Sequence, residues 1–302
     1  MKGLCSGGMR IDESPEHFGW LLDSSDAAED FVELRLRIER DGYLFLPGYL
    51  NRSDVRAARL AICEVLASEG VLNASANVED AVYASGHGMF RPDIANESSA
   101  RPVLERVIYG PTIMSFYDRL LKTKARHYDF TWLRTIQPGI GTYPHCDVVY
   151  MGRGSSSVYT AWVPLGDIDL DLGGLVVVEG SHKDEELRAG YCRLDVDTTC
   201  QNVETKSQTN AAGFPGFGAL SFDMPAVRDR LGGRLLTAEQ FSMGDLLTFS
   251  IFTVHGSLDN QSNRIRISSD SRYQPARDPI DERWVGEKPP GHGGASVKTL
   301  IC

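Results

Sequence analysis

From about residue 126 the chain becomes a succession of short β-rich runs: Tyr128–Ile136, Thr142–Met151, Val158–Leu165, Gly174–Val178, Gly244–Ser250 and Arg264–Tyr273. Glycine and proline turns separate them, and no helical pattern alternates with them. That rules against a parallel α/β sheet and points to an all-β sandwich or barrel. The first third reads differently. A helix is expected from Ser25, with Phe31, Leu34 and Ile38 on one stripe and Gly42 at its end. Tyr43–Leu46 is a short strand stopped by Pro47. A second helix is expected from near Ser53, burying Val55, Ala58, Ile62 and Leu66, with Gly70 just past it. Residues 71–97 are irregular, and helical pattern returns from Ser99 to about Lys122 with a break at Gly110-Pro111.

The expected organisation is one structural domain: a loose lead-in over 1–24, a helical lobe with a first strand over 25–125, a β core over 126–275 and a tail over 276–302. Within the core, residues 183–241 are rich in Gly, Asn, Thr and Ser, and an insertion of that length suits a lid. The tail is expected to hug the surface or be disordered. Net charge is −10, which disfavours a nucleic-acid partner and mildly disfavours a polyanionic substrate such as a coenzyme A thioester. No run is long and apolar enough to span a bilayer, and the first residues lack the apolar core of a secretion signal. The six cysteines form no Cys-x-x-Cys. Reduced thiols in a cytoplasmic protein with a small-molecule substrate are the expectation.

The chemistry concentrates at Thr142–Tyr150, where His145 and Asp147 stand two apart in a run that reads as a strand. Alternation puts both on one face and Cys146 and Val148 on the other. His255, in Thr253–Ser257, is the candidate third ligand. Two histidines and one carboxylate on one face of Fe(II) leave open positions, as in non-haem iron oxygenases. The run Arg264–Arg272 also alternates, with Arg264, Arg266, Ser268, Asp270 and Arg272 on one face. Charge balance makes that face a cavity wall: Fe(II), Asp147 and a chelating 2-oxoglutarate sum to one negative charge, which a single buried guanidinium neutralises. Arginine suits that post because its planar fork grips a carboxylate with two hydrogen bonds, and an unpaired buried charge costs roughly 3–5 kcal/mol. Alternation does not choose between Arg264 and Arg266.

His145-Cys-Asp147, Trp162 in Tyr-Thr-Ala-Trp-Val-Pro-Leu, Gly173-Gly-Leu…Gly180-Ser-His182, and His255-Gly-Ser…Asn260…Arg266…Arg272-Tyr-Gln-Pro275 resemble the phytanoyl-CoA dioxygenase family. Asp41-Gly-Tyr-Leu-Phe-Leu-Pro-Gly48 is similar to that family's first strand, so the resemblance runs from about 30 to 275. It implies a mostly β fold with flanking helices, around a double-stranded β-helix (jelly-roll, cupin-like) core with an N-terminal helical lobe. It further implies His145, Asp147 and His255 as catalytic iron ligands and Arg266 as the 2-oxoglutarate clamp. Ser257 and Trp162 fall at further co-substrate contacts. Where the family often has Gln between the metal-binding His and Asp, this chain has Cys146, read as a buried thiol.

The implied activity is that of an Fe(II)- and 2-oxoglutarate-dependent dioxygenase, with O2 as oxidant, hydroxylating an unactivated C–H bond. Halogenation normally needs the carboxylate ligand replaced, and Asp147 is present, so hydroxylation, or a desaturation or ring-forming variant, is the expected outcome. A catalytically silent jelly-roll binding module would be missing a triad member. A zinc hydrolase on the same triad has no use for Arg266. His182 reads as a structural strand-end residue. His87, Phe90, Arg91 and Tyr143 read as loop and rim packing, with a substrate-facing role as the alternative.

Overall fold

A computed structural model describes residues 3–86, 90–199 and 218–292. Two sheets face each other. The larger has six strands, in the order Tyr43–Leu46, Leu246–Ser250, Tyr159–Pro164, Arg266–Pro275 and Ala125–His127, with Trp132–Ile136 also paired to Arg266–Pro275. All its pairings are antiparallel. The smaller runs His255–Ser257, Leu175–Val178, Leu235–Thr237, Phe18–Trp20, and only its last pairing is parallel. This is the expected double-stranded β-helix core, reached without edge-to-edge joining of the two sheets among the described residues.

Alternation along the larger sheet decides what lies on either side. Leu44, Leu46, Ala161, Val163, Leu246, Ile267 and Tyr273 pack outward against the helices. Tyr43, Phe45, Trp162, Leu247 and Phe249 point inward, where they meet Leu175, Val177 and Leu236 of the smaller sheet. Each such fully buried side chain contributes roughly 1.5–3 kcal/mol of transfer free energy. No described helix is long and apolar enough to cross a membrane.

The helices form where the apolar stripe and caps place them. Phe31–Asp41 begins after a short 3-10 turn at Ser25–Ala27, later than the pattern from Ser25 predicts, because Asp30 accepts the Val32 and Glu33 N–H groups and so starts the helix there. It buries Phe31, Leu34 and Ile38, and Gly42 closes it at φ +81°. A side chain at Gly42 would also strike the His182 ring, so the position needs glycine twice over. Arg52–Ser68 is capped by Asn51 and buries the expected Val55, Ala58, Ile62 and Leu66. Arg101–Ile108 and Pro111–Leu120 meet at the predicted Gly110-Pro111 break.

Five expectations need correction or limits. The predicted strand over 142–151 does not form: His145 makes a single bridge to His255, and Val148–Met151 is a short helix. Asp147 sits at that helix's start with helical backbone angles (φ −61°, ψ −26°), so the chain turns between the two side chains instead of alternating. The lead-in is anchored: Ser6 donates to the Ser257 carbonyl, and the Gly7 and Gly8 N–H groups donate to the Asp259 carboxylate. Of the 183–241 stretch, 200–217 lie outside the described residues, and Leu235–Thr237 and Gln240–Phe241 are strands. The described part of the tail is tightly held, with Trp284 and His292 buried. His87 lies outside the described residues.

Candidate metal centre

His145 and His255 face each other across their mutual bridge, each N–H bonded to the other's carbonyl. Their ring centroids are 4.3 Å apart. Each Nδ1 lies against a backbone carbonyl, that of Tyr143 at 2.8 Å and of Thr253 at 3.0 Å. Those carbonyls accept, so Nδ1 carries the proton and each Nε2 presents a lone pair. Both Nε2 atoms lie 3.8 Å from Asp147 Oδ1. One ligand atom from each of the three buried residues falls within 4.8 Å of the others, the spacing of donors around one ion.

The carboxylate is held from behind. Asp147 Oδ2 accepts from Thr160 Oγ1 and from Arg272 Nη2 at 3.0 Å, while Oδ1 meets Arg272 alone at 3.1 Å. Oδ1 therefore keeps a lone pair on the side of the imidazoles. The Arg272 guanidinium also lies 4.0 Å over the Trp132 ring, which fixes its plane. Burial raises the Asp147 carboxyl, but Arg272 and the two histidines outweigh it and hold it far below the usual carboxylate range. Burial, reinforced by His255, pushes His145 down to about 3, and burial lowers His255 as well. Two neutral imidazoles beside an ionised carboxylate are the protonation states a divalent cation requires. Cys146, between the ligands, is buried and donates to the Phe252 carbonyl at 3.4 Å, away from the centre.

Arg266 and Arg264, equivalent by alternation, part company. Arg264 reaches the surface and pairs with Asp169 at 2.8 Å. Arg266 is 1% exposed, and its Nε and Nη2 have no partner among the described residues. Burial and the nearby Arg134 lower its pKa to about 9, which still leaves it charged at neutral pH. Arg134 itself is bound to Asp270 at 2.6 Å. Orphaned guanidinium donors in a buried wall fit the far carboxylate of a small diacid. Ser257 Oγ accepts the Thr142 N–H at 2.8 Å, which leaves its own O–H to donate. Trp162 is buried on the inner face, edge-on to Phe241 at 4.7 Å.

Other singled-out residues lie elsewhere. Asn260 holds a turn through the Ile136 and Arg264 carbonyls, and His182 meets the Glu39 carbonyl at 3.0 Å. Arg91 pairs with Glu69 and Asp93, Phe90 lies 6.1 Å from Phe130, and Tyr143 packs on Phe222 at 5.0 Å. The sequence reading did not single out Thr160, Arg134 or the partnership of Arg272 with Asp147. Arg272 was visible on the polar face, but its partner lies 125 residues away.

The phytanoyl-CoA dioxygenase (PhyH) family model matches residues 38–268. A 1-deoxypentalenic acid 11-beta-hydroxylase of Streptomyces exfoliatus is 26% identical over 268 residues, covering 85% of this chain and 83% of that protein. Its Streptomyces arenae counterpart is 27% identical over 269 residues, with the same coverage. Among solved structures, EctD from S. alaskensis with 2-oxoglutarate and 5-hydroxyectoine superposes with a TM-score of 0.57 at 20% identity, covering 93% of this chain and 88% of its own. The non-heme alpha ketoglutarate dependent carbocyclase SnoK from nogalamycin biosynthesis gives 0.56 at 18%, covering 93% and 94%. The chain belongs to the phytanoyl-CoA dioxygenase family, as a dioxygenase of the hydroxylase type that works with Fe(II), 2-oxoglutarate and O2.

Proposed function

We propose that His145, Asp147 and His255 hold the ferrous ion, that Arg266 takes the distal carboxylate of 2-oxoglutarate, and that the enzyme hydroxylates an unactivated C–H bond of a small organic substrate, with succinate and CO2 as co-products. The observation that carries this reading is the pairing of a converging donor set with the buried Arg266 guanidinium, two of whose nitrogens have no partner among the described residues. Bound there, iron with 2-oxoglutarate and O2 supplies an oxidant able to take hydrogen from an aliphatic carbon. The chain's own residues do the rest. Arg272 and Thr160 orient the carboxylate, the Tyr143 and Thr253 carbonyls fix the imidazole tautomers, and Ser257 offers a donor to the co-substrate beside the apolar wall of Trp162.

The 183–241 segment is proposed as the cover that excludes water. Its described parts support this: the Tyr191 hydroxyl donates to the Gly218 carbonyl at 2.5 Å and accepts the Cys146 N–H, while the Leu220 N–H donates to the Pro144 carbonyl at 2.8 Å. The segment is thus tied to the loop that carries two of the ligands. The substrate is proposed to be a molecule of the size class of 1-deoxypentalenic acid, the acid named for the curated relatives.

Anaerobic addition of Fe(II) and 2-oxoglutarate should produce a weak visible charge-transfer band, and a substrate screen read by succinate release should find the primary substrate. Arg266→Ala should raise the 2-oxoglutarate requirement sharply, by the roughly 2–4 kcal/mol of a charge-assisted pair, while iron stays bound. An unchanged requirement would remove Arg266 from the clamp, and activity with zinc but without 2-oxoglutarate would favour the hydrolase.

A further inference from the structure

The tail lies beyond the matched family region, yet two lines of contact lead from it to the metal centre. Trp284 packs 4.7 Å from Trp132, the ring under the Arg272 guanidinium that holds Asp147. His292 packs 4.8 Å from Trp284 and 6.0 Å from Tyr150, whose ring stands 5.5 Å from His145. The described part of the tail, up to His292, is clasped in place. Arg283 binds Asp281, Asp195 and Asp197, Arg153 joins the same two aspartates at 195 and 197, and the Gly291 N–H donates to the Arg283 carbonyl. Such a network is more than a surface-hugging tail needs.

Polar atoms on this wall have no partner among the described residues. His292 and Trp284 are 1% and 0% exposed, yet among the described residues nothing hydrogen-bonds His292 Nε2 or Trp284 Nε1, nor Tyr128 Oη and Arg272 Nε close by. Buried polar groups are nearly always paired, so four orphans in one region mark where a polar ligand or water completes the set. His292 Nδ1 lies 3.0 Å from Asp197 Oδ1. The carboxylate accepts, so the proton sits on Nδ1 and Nε2 presents a lone pair. Burial pushes His292 down to about 4, which keeps it neutral and keeps that lone pair free. The surroundings are rings: Phe130 lies 5.1 Å from Trp284 and 4.6 Å from Trp132.

We propose that the C-terminal tail builds the substrate-recognition wall of the active site, where Asp197-oriented His292 accepts a hydrogen bond from a hydroxyl of a ring-containing substrate and Trp284 Nε1 donates to an oxygen of the same molecule. This deepens the proposed hydroxylase reading and rests on it: the substrate class is a hydroxyl-bearing cyclic molecule, held by one acceptor and one donor against an aromatic wall.

Matched probes test it. 1-Naphthol and 1-methoxynaphthalene differ by the donor that His292 would accept, and their binding to the full-length protein is read by quenching of tryptophan fluorescence. Wild type should prefer the naphthol by roughly fivefold or more, the yield of one net hydrogen bond. His292→Ala should bring the two probes to parity without weakening the methoxy compound. His292→Phe, which keeps the ring packing and removes the acceptor, should do the same if the alanine variant folds poorly. Equal affinities in wild type, or a preference that survives in His292→Phe, would overturn the proposal and leave water as the occupant. Binding is read with and without Fe(II) and 2-oxoglutarate. A missing charge-transfer band with the naphthol preference intact would therefore sink the oxygenase reading and not this wall.

Discussion

Arg272→Met keeps an unbranched apolar stem and removes the guanidinium from a buried pair in which Arg272 and Asp147 are 1% and 2% exposed. In the metal-free protein this leaves the Asp147 carboxylate with Thr160 as its remaining hydrogen-bond donor. An uncompensated buried charge of this kind costs about 3–5 kcal/mol, or about 6–10 °C in Tm at roughly 2 °C per kcal/mol for a chain of this size. A divalent ion changes the comparison, because it supplies the charge that Arg272 supplied. The remaining loss is then the guanidinium's stacking on Trp132, about 1–2 kcal/mol. Thermal denaturation of both proteins, metal-free and with excess Fe(II) under anaerobic conditions, reads the difference directly. The metal should raise the variant's Tm by about 4 °C or more beyond the rise in wild type. Equal losses with and without metal would refute the idea that Arg272 and the ion compensate the same carboxylate. Arg272→Lys, which keeps charge but not fork or stacking, should fall between.

Two further outcomes follow from packing and charge. His145 is held near 3 when folded and titrates near 6.5 when unfolded, so protons favour the unfolded chain below 6.5. Metal-free stability should be full above that pH and fall by up to about 1.4 kcal/mol per unit as pH drops toward 3; a denaturant midpoint unchanged between pH 7 and 4.5 would refute this. Phe249 is fully buried between the sheets, 4.4 Å from the His255 ring. Phe249→Ala should cost about 3–5 kcal/mol in urea denaturation and weaken iron binding by freeing that imidazole.

What could be read from the sequence follows the range of each signal. The stripe Phe31, Leu34, Ile38 and the breaks at Gly42 and Gly110-Pro111 are local patterns, and the structure reproduces them. The convergence of His145, Asp147 and His255 was legible because the donor set has few chemical uses. The path to it was not: the turn before Val148 depends on the bridge to His255, 110 residues further on, and not on local alternation. Arg264 and Arg266 were indistinguishable by period, since what separates them is Asp169 on the surface. The tail gave no periodic signal because its described part is held by ion pairs and hydrogen bonds across 86–128 residues and by single aromatic contacts.

Phe18–Trp20 pairs with Leu235–Thr237, and Tyr43–Leu46 with Leu246–Ser250, so the earliest strands of the two main sheets wait for partners roughly 200 residues later. At the ribosome's pace of about 5–20 residues per second, that is roughly 10–40 s of nascent chain with two open β edges. The helices between Phe31 and Leu120 emerge during that interval and can shield Tyr43–Leu46 on one side alone. Yield on overexpression should therefore depend on translation speed and chaperone supply more steeply than the finished protein's stability would suggest.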